Sequence, residues 1–267
     1  MRDYSDDEST LEPGSNRSRR ALARRVLAML DLTRLEDDAD DSGVRALCRR
    51  ADTAFGTPAA VCVYPQFVSA ACEELAEQGL AGRVAVATVA NFPDGSAEPE
   101  RAAAETRRAV SLGADEVDVV LPWKALRDGD DAVGARLVEQ CRAASTGKLL
   151  KVIVETGMLA DADQIRRACA AAIAGGADFI KTSTGKAERG ATPEAVEVML
   201  ETVVEHGGRC GVKISGGVRT LDDARVYLEM AADKLGSEVG PERFRIGASS
   251  LLDDLLAALE PVEDPDR

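Results

Sequence analysis

The chain has 267 residues, of which 45% are hydrophobic and 30% are charged, and its formal net charge is −14. This composition is typical of a folded protein. The acidic charge, with only 3% aromatic residues, argues against a nucleic-acid partner, which needs a basic and base-stacking surface. No apolar run approaches the ~20 residues of a membrane span, and residues 1–12 lack the apolar stretch of a signal peptide. We therefore expect a cytoplasmic protein without a membrane partner.

Short apolar runs alternate with longer helical patterns between two polar chain ends. Residues 1–18 are acidic and aperiodic, and residues 260–267 contain two prolines and four acids, so both ends are predicted to be mobile tails. Residues 21–30 predict an amphipathic N-terminal helix. The apolar runs predict strands at residues 29–33, 60–64, 83–87, 116–121, 149–155, 179–182, 211–215 and 244–247. The helical patterns cover residues 42–54, 65–78, 99–112, 132–144, 161–174, 192–205, 221–235 and 249–259.

The alternation of eight strands with helices predicts a single α/β domain, a (β/α)8 TIM barrel over residues 19–259. Several strands are apolar on both faces and rich in Val and Ile, as in a parallel sheet that helices cover. The alternative is a doubly wound open sheet. That fold would more naturally carry a glycine-rich dinucleotide turn after its first strand, and none is visible.

The placement of cysteine and histidine excludes several kinds of site. No two of the six cysteines have C-x-x-C spacing, which argues against a zinc ribbon or a thioredoxin-type motif. The single histidine, His206, cannot supply a catalytic zinc site, and its position before two glycines indicates a cation at a helix C-terminus. The acidic run at residues 36–41 lacks the glycine spacing of a calcium loop. We therefore expect no metal site.

Two lysines mark the candidate active site, because this fold places catalytic groups at the carboxyl ends of strands. Lys181 and Lys213 lie in otherwise apolar strands that should be neighbours, and lysine is rarely buried without a reason. Two nearby ammonium groups repel, so at least one should lose its proton easily and attack carbonyls. The alternative is that each lysine pairs with a buried carboxylate such as Asp118 or Glu155. For Asp118, a structural ion pair and a role in proton relay are compatible.

The loops after the last three strands have the features of a phosphate site. Glycines allow close backbone approach, and a helix that starts near residue 249 directs N–H groups toward an anion. The convergence of three such loops favours a phosphate over ordinary tight turns. The candidate phosphate-binding residues are Gly185, Lys186, Gly216, Gly217, Gly247, Ser249 and Ser250.

The chain resembles the 2-deoxyribose-5-phosphate aldolases in several strings. The most specific is Lys-Thr-Ser-Thr-Gly-Lys at residues 181–186, within the longer match of residues 177–186. Further similar strings occur at residues 31–33, 60–65, 115–120, 150–156, 216–220 and 245–251. The match is collinear from about residue 29 to residue 256 and so covers nearly the whole predicted barrel.

The resemblance implies a class I aldolase that cleaves 2-deoxy-D-ribose 5-phosphate reversibly into D-glyceraldehyde 3-phosphate and acetaldehyde, with no cofactor. It implies that Lys181 forms a Schiff base, that Lys213 lowers the pKa of Lys181, and that Asp118 shuttles protons. A small sugar phosphate and aldehydes are the expected partners, and a homodimer is one possible assembly. The residues assigned to the substrate pocket are Asp31, Thr33, Cys62 and Thr182.

Some features depart from the family pattern or have another interpretation. Ile214 and Ser215 follow Lys213 where many relatives have Pro-Ala, and the C-terminal tail has no Tyr. Cys62 is also typical of a core thiol. Two other functions stay open, namely another lysine-dependent sugar-phosphate aldolase, of the transaldolase or fructose-bisphosphate type, and a non-catalytic phosphate-binding barrel. The latter would be expected to lose one of the two lysines or Asp118, and all three are present.

Overall fold

Eight parallel strands close into a barrel in chain order. The structure is a computed structural model, and it describes residues 16–159 and 161–261. The strands are β1 (Leu30–Arg34), β2 (Ala60–Val63), β3 (Ala85–Ala90), β4 (Glu116–Val120), β5 (Leu149–Ile153), β6 (Phe179–Lys181), β7 (Gly211–Ser215) and β8 (Phe244–Ala248). Pairing of β8 with β1 closes the ring. This confirms the predicted (β/α)8 barrel and excludes the open sheet.

Helices separate successive strands and surround the barrel. Within the described residues they are α1 (Asn16–Ala28), α2 (Asp41–Arg50), α3 (Val68–Glu77), α4 (Pro99–Ser111), α5 (Trp123–Arg127), α6 (Asp131–Ala144), α7 (Ala162–Ala174), α8 (Pro193–Glu205), α9 (Leu221–Leu235) and α10 (Leu251–Leu259). Short 3-10 turns occur at Pro65–Phe67 and Thr156–Met158. None of the helices in this part of the chain has the length and apolar character to cross a membrane.

The predicted N-terminal helix is present, but it begins at Asn16 and so includes residues assigned above to a tail. It packs against α10, where Arg20 Nη2 donates to the carbonyl oxygen of Leu259 at 2.9 Å. The remaining residues of the two predicted tails, 1–15 and 262–267, lie outside the described residues. His206 is the C-cap residue of α8, as its position before two glycines predicted.

Besides end shifts of a few residues in other elements, three local features differ from the prediction. Helix α5 was not predicted, because five residues are too few to establish a helical period. β3 was predicted at residues 83–87 but begins at Ala85 and continues to Ala90, since the N–H groups of Arg83 and Val84 donate to Leu80 in a turn. β5 was predicted to reach residue 155 but ends at Ile153, because Glu155 adopts a left-handed conformation with φ of 56°.

The barrel interior is divided into an apolar part and a charged part. On β4, Val117 and Val119 pack against the helices, whereas Glu116 and Asp118 alternate with them and point to the inside. On the other side of the barrel the interior is filled by an apolar cluster from β1–β3, with Leu35, Ala60, Cys62, Ala87 and Val89. The charged side chains are therefore confined to one side of the interior.

Candidate active site

Among the described residues, seven charged side chains meet inside the barrel, and we call them the interior charge cluster. They are Asp31, Glu116, Asp118, Lys151, Lys181, Lys213 and Arg245. Each is at most 7% exposed. Parallel pairing aligns Lys181 with Lys213 on the neighbouring strand, as the sequence predicted. Burial of so many charges is costly unless they are paired, so the pairing defines what this site can do.

Asp118 is the centre of the cluster, because its two carboxylate oxygens contact three lysines. Its Oδ2 atom accepts from Lys181 Nζ at 2.9 Å and from Lys213 Nζ at 2.8 Å. Its Oδ1 atom accepts from Lys151 Nζ at 2.9 Å. Burial opposes ionisation of Asp118, but the three lysines outweigh it and hold its pKa well below the usual range. Asp118 is therefore a carboxylate that both candidate catalytic lysines share.

The two candidate catalytic lysines differ in how easily they lose a proton. Burial lowers the pKa of Lys181, and the neighbouring Lys213 ammonium lowers it further against the opposing effect of Asp118. Burial also acts to lower the pKa of Lys213, but the carboxylates of Asp118 and Asp31 outweigh it and raise that pKa. Lys213 Nζ lies 2.6 Å from Asp31 Oδ2, a partner that Lys181 lacks among the contacts of the described residues. Lys181 is thus the better source of a neutral amine.

The remaining members of the cluster form a second group of ion pairs beside Asp118. Lys151 Nζ lies 2.5 Å from Glu116 Oε2. Arg245 donates to Glu116 Oε1 at 3.0 Å and to Asp31 Oδ1 at 2.7 Å. Glu116, Lys151 and Arg245 were not assigned to the site from the sequence. The available signal was their spacing, since Glu116 lies two residues before Asp118 and Arg245 two residues before Gly247, on inward positions of their strands.

A cavity of about 320 Å³ opens at the carboxyl ends of β6–β8 and β1. It brings together all seven residues predicted to bind phosphate, together with Thr33 from the predicted substrate pocket. Ser215, one of the two departures from the family pattern, also lines it. Its lining includes Thr33, Thr184, Gly185, Lys186, Ser215, Gly216, Gly217, Gly247, Ser249 and Ser250.

Backbone geometry at the cavity accounts for the glycines there. Gly216 and Gly217 have φ of 83° and 93°, a conformation that other residues adopt at a cost. Gly247 has a different role, because a Cβ there would lie 2.3 Å from Ser215 Oγ and 3.0 Å from Lys213 Cε. Gly247 therefore provides the space that Lys213 occupies beneath the cavity. Ser250 is the N-cap of α10 and makes no side-chain capping bond, so the N–H groups of the first turn remain available to an anion.

Lys186 lines the cavity, and its ammonium group contacts an acidic residue, Asp37, at the cavity opening. Its Nζ atom lies 2.6 Å from Asp37 Oδ1, in the loop after β1. The side chain of Asp37 is 92% exposed, so this contact is a surface ion pair of little strength. An anion in the cavity can therefore compete with Asp37 for the ammonium group of Lys186.

Three residues of the predicted substrate pocket do not line the cavity. Asp31 belongs to the interior charge cluster. The hydroxyl of Thr182 donates to the carbonyl oxygen of Ser215 at 3.1 Å and accepts from its N–H at 2.9 Å, so it joins β6 to β7. Cys62 is buried in the apolar side of the interior, and this burial raises the pKa of its thiol. A raised thiol pKa disfavours the thiolate that a nucleophile requires.

Glu155 supports the loop after β6 and is not an ion-pair partner of the two lysines within the described residues. Its carboxylate oxygens accept from the N–H of Thr184 at 3.2 and 3.3 Å. Burial raises the pKa of Glu155 in spite of these hydrogen bonds. Of the two carboxylates predicted to pair with Lys181 and Lys213, the structure thus selects Asp118.

The geometry brings a lysine with a lowered pKa close to a cavity that has glycine-rich loops and a helix N-terminus. A neutral lysine forms an imine with an aldehyde or ketone, and glycine-rich loops with a helix N-terminus bind phosphate. The cavity lies directly above Lys213 at Gly247 and Ser215, and Lys213 is the neighbour of Lys181. This arrangement suits a small carbonyl compound that carries a phosphate.

Solved structures of aldolases are similar to this chain over most of its length. The apo form of a candidate deoxyribose-phosphate aldolase from Toxoplasma gondii ME49 is 27% identical, with a TM-score of 0.84, over 92% of this chain and 99% of that chain. A candidate deoxyribose-phosphate aldolase from Coccidioides immitis is 31% identical, with a TM-score of 0.75, over 86% of this chain and 85% of that chain. A tetrameric deoxyribose phosphate aldolase from Aeropyrum pernix shares the fold, with a TM-score of 0.71 at 24% identity over 91% of this chain and 97% of that chain.

A family model described as "DeoC/LacD family aldolase" matches residues 25–257. The matched segment contains the whole barrel from β1 to β8, the interior charge cluster and every residue that lines the cavity. The matched segment also includes the lysine pair and the internal carboxylate that imine chemistry would use. The chain belongs to the DeoC/LacD family of aldolases and is a class I aldolase, a carbon–carbon lyase.

Proposed function

We propose that this aldolase is a deoxyribose-phosphate aldolase, which cleaves 2-deoxy-D-ribose 5-phosphate to D-glyceraldehyde 3-phosphate and acetaldehyde. The observation that carries the proposal is the pairing of Lys181 and Lys213 on one oxygen of Asp118, beneath a cavity lined by the loops that were predicted to bind phosphate. Similarity to deoxyribose-phosphate aldolases over most of the chain supports the choice of substrate. Action in the cytoplasm as a homodimer stays a prediction.

In this proposal, Lys181 is the nucleophile. Its neutral Nζ atom attacks C1 of the open-chain aldehyde, and loss of water leaves a protonated imine. Removal of the proton from the C3 hydroxyl lets the electrons of the C2–C3 bond move into the imine. C3 then becomes the aldehyde carbon of glyceraldehyde 3-phosphate, and C1 and C2 remain on Lys181 as an enamine. Protonation at C2 and hydrolysis of the imine release acetaldehyde and regenerate the lysine.

Asp118 and Lys213 are the proposed proton-transfer groups. The Nζ atoms of Lys213 and Lys181 lie 2.8 and 2.9 Å from the same oxygen of Asp118, so a proton can move among the three groups without a change of fold. The ammonium group of Lys213 also keeps the pKa of Lys181 low, because a second positive charge nearby disfavours protonation of the amine. Asp31 in turn holds Lys213 as an ammonium ion.

Reductive trapping tests the proposed nucleophile. When the protein is incubated with acetaldehyde and borohydride, we expect a two-carbon adduct on Lys181, located by mass spectrometry of peptides. With deoxyribose 5-phosphate we expect a sugar-phosphate or two-carbon adduct at the same residue. An adduct confined to Lys213 or Lys151, with Lys181 unmodified, would contradict the assignment. Release of acetaldehyde from deoxyribose 5-phosphate, measured in parallel, tests the substrate.

Replacing Ser250 by glutamate tests the phosphate site separately from the chemistry. A carboxylate at the start of α10 would repel the substrate dianion, at a cost of about 1–3 kcal/mol. We therefore expect kcat/KM for deoxyribose 5-phosphate to fall about 10- to 100-fold. Unphosphorylated deoxyribose carries no dianion, so its kcat/KM should change much less.

Ser250→Gln is the matched control, because it has nearly the size of glutamate but no charge. Ser250 is exposed, so neither variant should alter the fold. We expect Ser250→Gln to retain most of the preference for the phosphorylated sugar. If Ser250→Glu weakens both sugars to the same extent, the phosphate binds elsewhere.

A further inference from the structure

Glu116 and Arg245 form a buried ion pair that the proposed reaction does not use. Arg245 Nη2 donates to Glu116 Oε1 at 3.0 Å, and the two residues are 7% exposed or less. Neither lines the cavity above the lysines. Burying a charge pair is often no more favourable than burying apolar side chains of the same size. The pair therefore calls for an explanation beyond stability.

Each member of the pair holds one neighbour of the reactive groups. Glu116 Oε2 binds Lys151 Nζ at 2.5 Å, and Lys151 binds Asp118 Oδ1 at 2.9 Å. Arg245 Nη1 donates to Asp31 Oδ1 at 2.7 Å, and Asp31 Oδ2 lies 2.6 Å from Lys213 Nζ. Glu116 thus fixes the Oδ1 side of Asp118 through Lys151. Arg245 fixes Asp31, the partner of Lys213.

Within the described residues, this division leaves Asp118 Oδ2 to the two candidate catalytic lysines. Lys151 is anchored away from it by Glu116, and Asp31 is anchored by Arg245. We propose that Glu116 and Arg245 are a positioning pair, which holds Lys151 as an ammonium ion and Asp31 as a carboxylate so that Asp118 Oδ2 stays directed at Lys181 and Lys213. The proposal rests on the proposed function, since it assigns Lys181 as the imine-forming lysine.

The electrostatics of the two anchored residues agree with this role. Burial alone would favour a neutral Lys151, but Asp118, Glu116 and Asp31 outweigh it and raise its pKa. Burial alone would also favour a neutral Asp31, but the cations Lys213, Lys151 and Arg245 hold its pKa below the usual range. Both residues therefore keep a fixed charge while Lys181 changes its own.

The ionisable groups in and beside the cluster that contains Lys181 come from several strands of the barrel. β1 supplies Asp31, β4 supplies Glu116 and Asp118, and the segment after β5 supplies Glu155. The other ionisable groups around it are Cys62, Lys151, Lys213 and Arg245. Removing Glu116 takes away one negative charge from this set, and removing Arg245 takes away one positive charge. The two removals should therefore shift the protonation of Lys181 in opposite directions.

The pH dependence of imine formation provides the test. Full-length variants would be treated with acetaldehyde and cyanoborohydride across pH 5–9, and the initial rate of adduct formation on Lys181 would be measured. Glu116→Gln favours the neutral amine of Lys181. The acid limb of its pH–rate profile, where the rate falls as Lys181 becomes protonated, should therefore move to lower pH by about 0.5–1 unit. Arg245→Met favours the ammonium form, so its acid limb should move to higher pH by a similar amount. The double variant should return to within about 0.3 unit of the wild-type limb.

A surface pair is the matched control. Glu100 and Arg136 lie 2.7 Å apart on exposed positions, so Glu100→Gln removes the same kind of charge from solvent. We expect its acid limb to coincide with the wild-type limb. Shifts of Glu116→Gln and Arg245→Met in the same direction, or no shift in either, would overturn the positioning role. A failure to trap Lys181 in the wild-type protein would instead overturn the proposed function.

Conservative variants keep the test decisive if the charge-removing variants do not fold. Glu116→Asp and Arg245→Lys retain both charges but shorten the reach or lose the two-pronged contact of the guanidinium. We expect each to keep the wild-type acid limb and to reduce the plateau rate of adduct formation at least fivefold, because Lys151 or Asp31 moves out of place. Wild-type rates at every pH in both variants would show that the pair positions nothing.

Discussion

The variant Lys181→Met should lose aldolase activity, with kcat/KM for deoxyribose 5-phosphate reduced by about 10⁴-fold or more. Methionine fills the space of the lysine stem but cannot form an imine, so the route through the enamine is closed. Unphosphorylated deoxyribose should lose activity to the same extent, because the nucleophile is common to both sugars. Asp118 keeps Lys213 and Lys151 as partners in this variant, so the fold should survive. Activity is measured by acetaldehyde release.

Lys148→Met is the matched control for this experiment. Lys148 is partly exposed, and its Nζ atom pairs with Asp115 at 2.9 Å outside the interior charge cluster. We expect this variant to have wild-type kinetics within a factor of two. If Lys181→Met retained more than about 1% of wild-type kcat/KM on either sugar, a different group would have to be the nucleophile.

The variant Asp118→Asn should be the most destabilising neutral replacement in the barrel interior. An amide leaves three buried lysine side chains, those of Lys151, Lys181 and Lys213, without their shared carboxylate. Breaking a buried ion pair by removing one partner costs about 3–5 kcal/mol. At about 2–4 °C per kcal/mol for a chain of this size, Tm should fall by about 6–20 °C. Thermal unfolding followed by circular dichroism measures this difference.

The stability difference should also depend on pH in a defined direction. The pKa of Asp118 is held well below that of the unfolded chain, so ionised Asp118 contributes its full stabilisation above about pH 4. Below that pH the unfolded chain takes up a proton first, and the contribution is lost as pH falls toward the folded pKa. The Tm difference between wild type and Asp118→Asn should therefore be largest near neutral pH and shrink below about pH 4. A difference that grew on acidification would contradict the pairing.

The same variant should lose turnover as well as stability. The amide that replaces the carboxylate of Asp118 cannot take up a proton in its place, and loss of a positioned acid–base group typically costs about 10²–10⁴-fold. Asp163→Asn is a suitable control, because Asp163 is a highly exposed carboxylate in a surface pair with Arg166. It should keep both its Tm and its kcat. Full activity in folded Asp118→Asn would show that another group carries the proton.

The alternation of apolar runs and helical patterns was enough to predict the barrel. All eight strands were predicted within a few residues, because a strand covered on both faces needs a continuous apolar run, which is a local property of the chain. Helix α5 escaped prediction because its five residues are stabilised by tertiary contacts: Trp123 and Leu126 are buried, and Arg167 of α7 donates to the carbonyl oxygen of Leu126 at 3.1 Å. The end of β5 was predicted wrongly because the left-handed backbone of Glu155 does not change the hydropathy pattern from which strand ends are predicted.

The sequence by itself determined the barrel, the neighbouring positions of Lys181 and Lys213, and the glycine-rich loops that line the cavity. Each follows from local residue type together with the rule that strand ends meet at one face of a barrel. Only the tertiary structure decided which charges pair, because burial makes a charge depend on partners from distant strands. It placed Asp31 and Arg245, 214 residues apart, at 2.7 Å. It also divided the two oxygens of Asp118 among three lysines, which no spacing along the chain could predict.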